Sequence, residues 1–198
     1  MPPHLWIGNL KISFSFWFFV VVAAFLQLGM DVMVPYVVLP ILVHEGGHLL
    51  AMRLYGIKVR EIAFTPFSVN IRRGPGEISD TGEIVISLAG VCANLLAALG
   101  LYLLRFQSMR VILMIGSHLA VALFNLLPVG DLDGGEVCGC VCRRYFSPRM
   151  AYGISKTVSF LALTPLFALA ILLLLRGLGN ISLFLACVYL AATVIFRE

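Results

Sequence analysis

The chain has 198 residues, 61% of them hydrophobic and only 12% charged, with a formal net charge of +4 and a mean hydropathy of +1.01. Soluble domains carry roughly a quarter charged residues, so the composition excludes a soluble globular protein and predicts one compact membrane bundle that uses residues 1–198 as a single domain. The basic surplus is not interleaved with aromatic residues, which excludes a nucleic-acid footprint.

In chain order, hydropathy predicts six spans, at about 12–30, 32–54, 84–104, 111–127, 154–175 and 181–196, each compatible with a hydrocarbon core of about 30 Å. The expected fold class is an all-α polytopic membrane protein of six transmembrane helices, with a short membrane-surface β element between helices 2 and 3. The first span opens on Phe14, Phe16, Trp17, Phe18 and Phe19, suited to the interfacial aromatic belt. No small-residue cleavage site follows it, so it reads as a retained helix. Met30-Asp31 predicts a tight turn into the second span, and Pro40 predicts a bend one turn before His44.

Between Tyr55 and Glu83 the period changes. Ile57-Lys58-Val59-Arg60 and Ser68-Val69-Asn70-Ile71-Arg72 each alternate apolar with polar, and Thr65-Pro66-Phe67 separates them. Two short surface strands are expected there, followed by a mobile loop over residues 73–82. Beyond the fourth span, Val129 to Gly135 predicts a glycine-rich turn, and 136–146 a short interfacial helix stopped at Pro148. The last apolar run reaches Phe196, so no soluble appendage is expected after it. The cluster Cys138, Cys140, Cys142 is a weak metal signal, and reduced free thiols are expected.

With six spans, one side of the membrane collects Lys11, Arg53, Lys58, Arg60, Arg72, Arg73, Arg143, Arg144, Arg149, Lys156 and Arg197. The other holds Arg105, Arg110 and Arg176. The positive-inside rule then predicts a multi-pass cell-membrane protein with both termini cytoplasmic.

The second span contains His44-Glu45-Gly46-Gly47-His48. Positions i and i+4 share one helix face, so both imidazoles can hold one metal ion while Glu45 projects beside the open coordination position, where a general base for hydrolysis belongs. An ionisable side chain at mid-membrane depth costs roughly 2.5–3.5 kcal/mol on insertion scales, which argues against an idle role. Candidates for a third ligand are Asp131, Asp133, Glu136 and His118. Asp133 is the best placed, because a glycine-rich turn can bring its carboxylate back towards the second span; a helix-start cap is its competing role. His118 reads as a packing histidine. By the rise of a helix, His44 lies about 13 Å in from Arg53 and Asn94 about 16 Å in from Glu83. Asn125 closes the fourth span on that same side, so these polar groups agree in depth.

These residues resemble the site-2 proteases, intramembrane zinc metalloproteases. His44-Glu45-Gly46-Gly47-His48 is followed by Asn125-Leu126-Leu127-Pro128-Val129-Gly130-Asp131-Leu132-Asp133-Gly134, which matches the family's second signature, Asn-x-x-Pro-x-x-x-Leu-Asp-Gly. Gly90-Val91-Cys92-Ala93-Asn94 follows the third motif with Val91 in place of its proline. The short layout is similar to the bacterial sporulation-type branch without its regulatory cytoplasmic domain. The resemblance implies one Zn²⁺ held by His44, His48 and Asp133, Glu45 as catalytic base, and Asn94 and Asn125 as catalytic residues that orient the substrate or stabilise the oxyanion. It further implies a membrane-spanning or membrane-associated protein as substrate, the lipid bilayer as surroundings, and an inhibitory membrane protein as a candidate partner. Two other classes compete: a proteolytically inactive metal-binding membrane adaptor of the same fold, and a metal transporter. An inactive adaptor is expected to lose a ligand or the glutamate, and a transporter needs a polar pathway that the fifth and sixth spans do not offer.

Overall fold

The computed structural model describes residues 3–7, 10–27, 31–65, 69–74, 76, 78–105, 108–177 and 181–196. The chain divides into two compact units, Met1–Ile78 with Cys92–Ala122 and Ser79–Val91 with Leu123–Glu198.

The first unit opens on two strands, β1 (His4–Ile7) and β2 (Leu10–Phe14), followed by helix α1 (Phe16–Gln27), a 3-10 turn at Asp31–Met33 and helix α2 (Val34–Leu54). Strands β3 (Val59–Phe64) and β4 (Val69–Arg73) complete a sheet of order β1-β2-β3-β4. β2 and β3 run parallel, with Lys11 opposite Glu61 and Phe14 opposite Phe64; the other two pairs are antiparallel. A parallel pair needs a long crossover, and α1 with α2 supplies it. Phe14 stacks on Phe64 with ring centroids 5.1 Å apart, and Phe18 and Phe19 pack on Phe14. Glu61 ties three strands together through Lys11 (3.0 Å), the Ser13 hydroxyl (2.9 Å) and Arg72 (3.2 Å).

Two expectations change here. The first span was expected from Ile12, but Leu10–Phe14 is strand and the helix begins at Phe16. The alternation Leu-Lys-Ile-Ser-Phe is strand-like, yet it runs without a break into an apolar helix. The β element is also larger than expected, four strands rather than two. The anticipated turn residue Met30, together with Pro66, Phe67 and Ser68 between the strands, lies outside the described residues.

α2 ends where Gly56 adopts φ +71°, with Ile57 N–H bonded to Met52 O and Gly56 N–H to Arg53 O. This left-handed glycine cap releases the chain into β3. The buried residues of α2 are Pro40, His44, His48, Ala51 and Met52, a single stripe at one-turn spacing, whereas Leu39, Leu42 and Leu50 are exposed. An apolar outer face opposite a stripe holding two histidines is the pattern of a lipid-facing helix with a polar interior.

Helix α3 (Asp80–Leu103) and helix α4 (Met109–Asn125) contribute to both units. The expected loop over 73–82 gives way to helix at Asp80, where the Ser79 hydroxyl accepts the Gly82 N–H at 3.2 Å as an N-terminal cap; Pro75 and Glu77 lie outside the described residues. The second unit is built on helices α5 (Asp133–Tyr145), α6 (Pro148–Leu175) and α7 (Ile181–Phe196). Its core joins Val129, Leu163, Leu190 and Val194, with Leu127, Leu132 and Phe167 packed against them. Pro148 opens α6 rather than merely stopping α5, so this helix starts six residues before the expected Ile154. Proline suits a first helical position because the N–H it lacks has no partner there.

Three helices, α2, α3 and α6, are long and apolar enough to cross a membrane. The other three expected spans, α1, α4 and α7, have 12, 17 and 16 helical residues. The fold is therefore mostly helical, with a small sheet and three helices of membrane-crossing length among the described residues.

Candidate metal centre

His44 and His48 sit one turn apart on the buried stripe of α2, at 4% and 8% exposure. Their rings meet edge to face with centroids 4.6 Å apart, and their Nε2 atoms approach to 3.1 Å. Two nitrogen ligands at 2.0–2.1 Å from one tetrahedral ion stand about 3.3 Å apart, so the two imidazoles already hold nearly that chord. Helix spacing alone brings the rings side by side; the convergence of the same nitrogen on each is the additional feature.

One ligand atom each from His44, His48 and Asp133 lie within 4.8 Å of one another, the first two residues buried and the third half-buried. Of the four sequence candidates for a third ligand, Asp133 alone joins the pair among the described residues. Two neutral imidazoles and a carboxylate are a donor set suited to a borderline divalent cation such as zinc. These residues fit a metal ion.

Local chain geometry explains the position of Asp133. α4 ends at Asn125, and residues 126–132 turn back through Gly130, which requires φ +49°. Leu132 is extended and precedes α5, so Asp133 is the first helical residue. The sequence placed Asp133 in the turn; the structure places it at the start of the helix. Asp133 and Glu136 in the first turn and Arg143 and Arg144 in the last complement the helix dipole. Arg143 also binds Asp80 of α3 at 3.1 Å, which fixes the far end of α5.

Glycines at 134 and 135 let this turn close. A Cβ on Gly134 would run into the carbonyl oxygen of Leu126, with Leu127 O at 2.6 Å, and one on Gly135 would meet the carbonyls of Gly130 and Val129. Ser159, buried in α6, holds the same turn: its oxygen accepts the Gly130 N–H at 3.2 Å, and its hydroxyl lies 3.1 Å from Pro128 O and 2.9 Å from Ser155 O. Sequence reasoning missed Ser159; a serine within an apolar span, one turn after Ser155, was the available signal.

Glu45 follows His44 on α2 and is half-buried. Asn125 is half-buried at the end of α4. Asn94 is fully buried in α3, and its Oδ1 lies 2.8 Å from Nδ1 of His118, itself 2% exposed in α4. His118 is thus a partnered packing histidine, as expected, and its partner is the asparagine of the third motif.

The five cysteines are free thiols. Burial pushes the thiols of Cys138 and Cys140 up from their ordinary value, with Cys142 adding to the effect at Cys138. Protonated thiols are poor metal ligands, and no group of three metal-ligating side chains among the described residues includes a cysteine. A cavity of about 250 Å³ is lined by Glu136, Arg143, Ser155, Lys156 and Ser159 among others, and by none of the three candidate ligands.

No protein-family model matches the chain, and no curated protein matches it. Among solved structures, the site-2 protease from Methanocaldococcus jannaschii superposes with a TM-score of 0.72 over 98% of this chain and 94% of that one, at 18% sequence identity. The chain has the fold of a site-2 protease.

Proposed function

We propose that this chain is an intramembrane zinc metalloprotease that hydrolyses peptide bonds of membrane-embedded or membrane-associated proteins, with its site in the cytoplasmic half of the bilayer. The observation that carries the reading is the convergence of His44, His48 and Asp133 to within 4.8 Å, with the two Nε2 atoms 3.1 Å apart on a helix of membrane-crossing length. The fold of the archaeal site-2 protease supports it.

His44 and His48 would hold the ion through Nε2, and Asp133 through a carboxylate oxygen. When bound, zinc supplies a Lewis acid that brings the pKa of water to about 7 and polarises a carbonyl. Glu45, adjacent to His44, would take a proton from the attacking water as its oxygen bonds to the scissile carbon, then give that proton to the leaving nitrogen as the C–N bond breaks. Asn125 and Asn94 would donate amide hydrogens to substrate carbonyl oxygen. Two imidazoles are neutral ligands, so a dication offsets the charges of Asp133 and Glu45, which apolar surroundings otherwise make costly.

The test is direct. Purified full-length chain in detergent should retain about one zinc per chain after dialysis and cut a single-span substrate co-reconstituted with it. Glu45→Gln should keep the zinc and lose activity by at least the 10²–10⁴-fold that general acid–base groups contribute. Wild-type cleavage by Glu45→Gln, or a wild-type chain that retains no metal, overturns the reading.

A further inference from the structure

The bond between α3 and α4 has a direction. Oδ1 of Asn94 is an acceptor, so at 2.8 Å the Nδ1 of His118 must donate to it, which fixes the imidazole in the Nδ1–H tautomer. An asparagine amide otherwise has a broad, roughly two-fold torsional choice. Here one face of the amide is claimed by the ring, and Nδ2 is turned the other way. Nδ2 is buried and has no hydrogen-bond acceptor among the described residues, and Asn94 as a whole is 0% exposed. Buried polar groups are satisfied in the great majority of cases, so a pair that satisfies one end of the amide and strands the other is poor as a purely structural clasp.

We propose that His118 is a positioning residue for proteolysis. It locks the Asn94 amide so that Nδ2–H is presented to a main-chain carbonyl of an unwound substrate peptide. The proposal rests on the proteolytic reading above. Its chemistry follows from the substrate state that reading requires. A helical peptide spends its carbonyls on its own N–H groups; unwinding one segment within apolar surroundings leaves carbonyls that need donors. A neutral amide N–H suits a neutral carbonyl without the desolvation cost of a charged donor. Nδ2 has no acceptor among the described residues, a penalty that an arriving carbonyl relieves.

The experiment is a double-mutant cycle on the full chain in detergent, with a single-span substrate that the wild type cuts. His118→Phe and Asn94→Ala should each raise KM and lower kcat/KM roughly tenfold, about the worth of one hydrogen bond, with kcat near wild type because the contact is made in ground and transition states alike. In the Asn94→Ala background, His118→Phe should add nothing, since it acts only through the amide. His118→Gln, which keeps an N–H donor, should recover part of the loss. Zinc content should match wild type throughout, a readout that separates positioning from collapse of the metal centre. A wild-type KM in His118→Phe, or losses that multiply in the double variant, overturns the proposal. If His118→Phe does not fold, Asn94→Ala alone must raise KM at unchanged zinc content, and a wild-type KM there overturns it equally. If the wild type does not cut, or Glu45→Gln cuts as well, the proteolytic reading itself has failed and this inference with it. If wild type cuts, Glu45→Gln does not and His118→Phe is unaffected, the positioning role alone is wrong.

Discussion

At the scale of single residues, the buried imidazoles of α2 carry a desolvation cost that a shared ligand would offset. An imidazole shielded from water needs partners for its ring nitrogens, and the Nε2 atoms of His44 and His48 lie 3.1 Å apart. Even outer partners of metal ligands are worth 10–100-fold in affinity, so losing a ligand costs more. His44→Ala should therefore reduce zinc affinity by well over about 100-fold, read as metal per chain after competition with a chelator, while circular dichroism still shows the helices. Retention of stoichiometric zinc in His44→Ala would remove His44 from the ligand set. Gly134 makes a different demand. A methyl group there meets the backbone carbonyl of Leu126, which has no rotamer with which to yield. Overpacking costs about 1–3 kcal/mol where side chains can adjust; against backbone, Gly134→Ala should reach at least the top of that range. A lowered melting temperature and weakened zinc retention together would show this, because Asp133 precedes the displaced glycine. An unchanged melting temperature would mean that the turn has room the geometry denies it.

At the scale of elements, the sheet depends on Glu61 in β3. Hydrogen bonds from Lys11 and then Ser13, with the charges of Lys11 and Arg72, hold its carboxyl below the ordinary glutamate value, outweighing the opposing effect of burial. A depressed folded-state pKa means that the stabilisation is present above the ordinary carboxylate range and is lost as pH falls through the folded value. Hydrogen-exchange protection of β2 and β3 should therefore fall when the pH is taken from neutrality to below about 4. Glu61→Gln should show weaker protection at neutrality and little of this acid dependence. Equal protection in the two proteins at pH 7 would show that the sheet does not use this charge. The same sheet marks where the sequence was legible. Alternation over residues 57–72 announced β3 and β4, and the pair His44–His48 announced its own helix face. β2 was hidden because Leu10–Phe14 runs straight into an apolar helix, and periodicity cannot set a boundary between two patterns that share their residues. Asp133 was legible as a candidate ligand by its chemistry but not as the first residue of α5, because glycines at 134 and 135 look like turn residues when their real use is close backbone approach. The Asn94–His118 bond joins residues 24 apart, a contact no local pattern encodes.

At the scale of the whole molecule, orientation in the membrane is the property that charge governs. The 14 Lys and Arg residues divide eleven to three under a six-span path, and basic residues near span ends resist translocation. Arg53 closes α2 and Arg143 and Arg144 close α5, while Arg105 and Arg110 flank the connection from α3 to α4. The first set is expected in the cytoplasm and the second outside. α2 is helical from Val34 to Leu54, so at about 1.5 Å per residue His44 lies roughly 13 Å from Arg53 along the axis, a depth that falls in the cytoplasmic half of a core of about 30 Å if Arg53 faces the cytoplasm. Under the proposed function, orientation would decide the side on which cleavage products are released. In a variant whose native cysteines are replaced, Arg144→Cys should react with a membrane-impermeant maleimide only after cells are opened, and Ser108→Cys should react in intact cells. The reverse pattern would place the metal centre nearer the outer face and send the products outward. Labelling of both sites from one side would mean that the segment between them crosses the bilayer an even number of times, so that α4 does not span it alone, in keeping with its 17 residues.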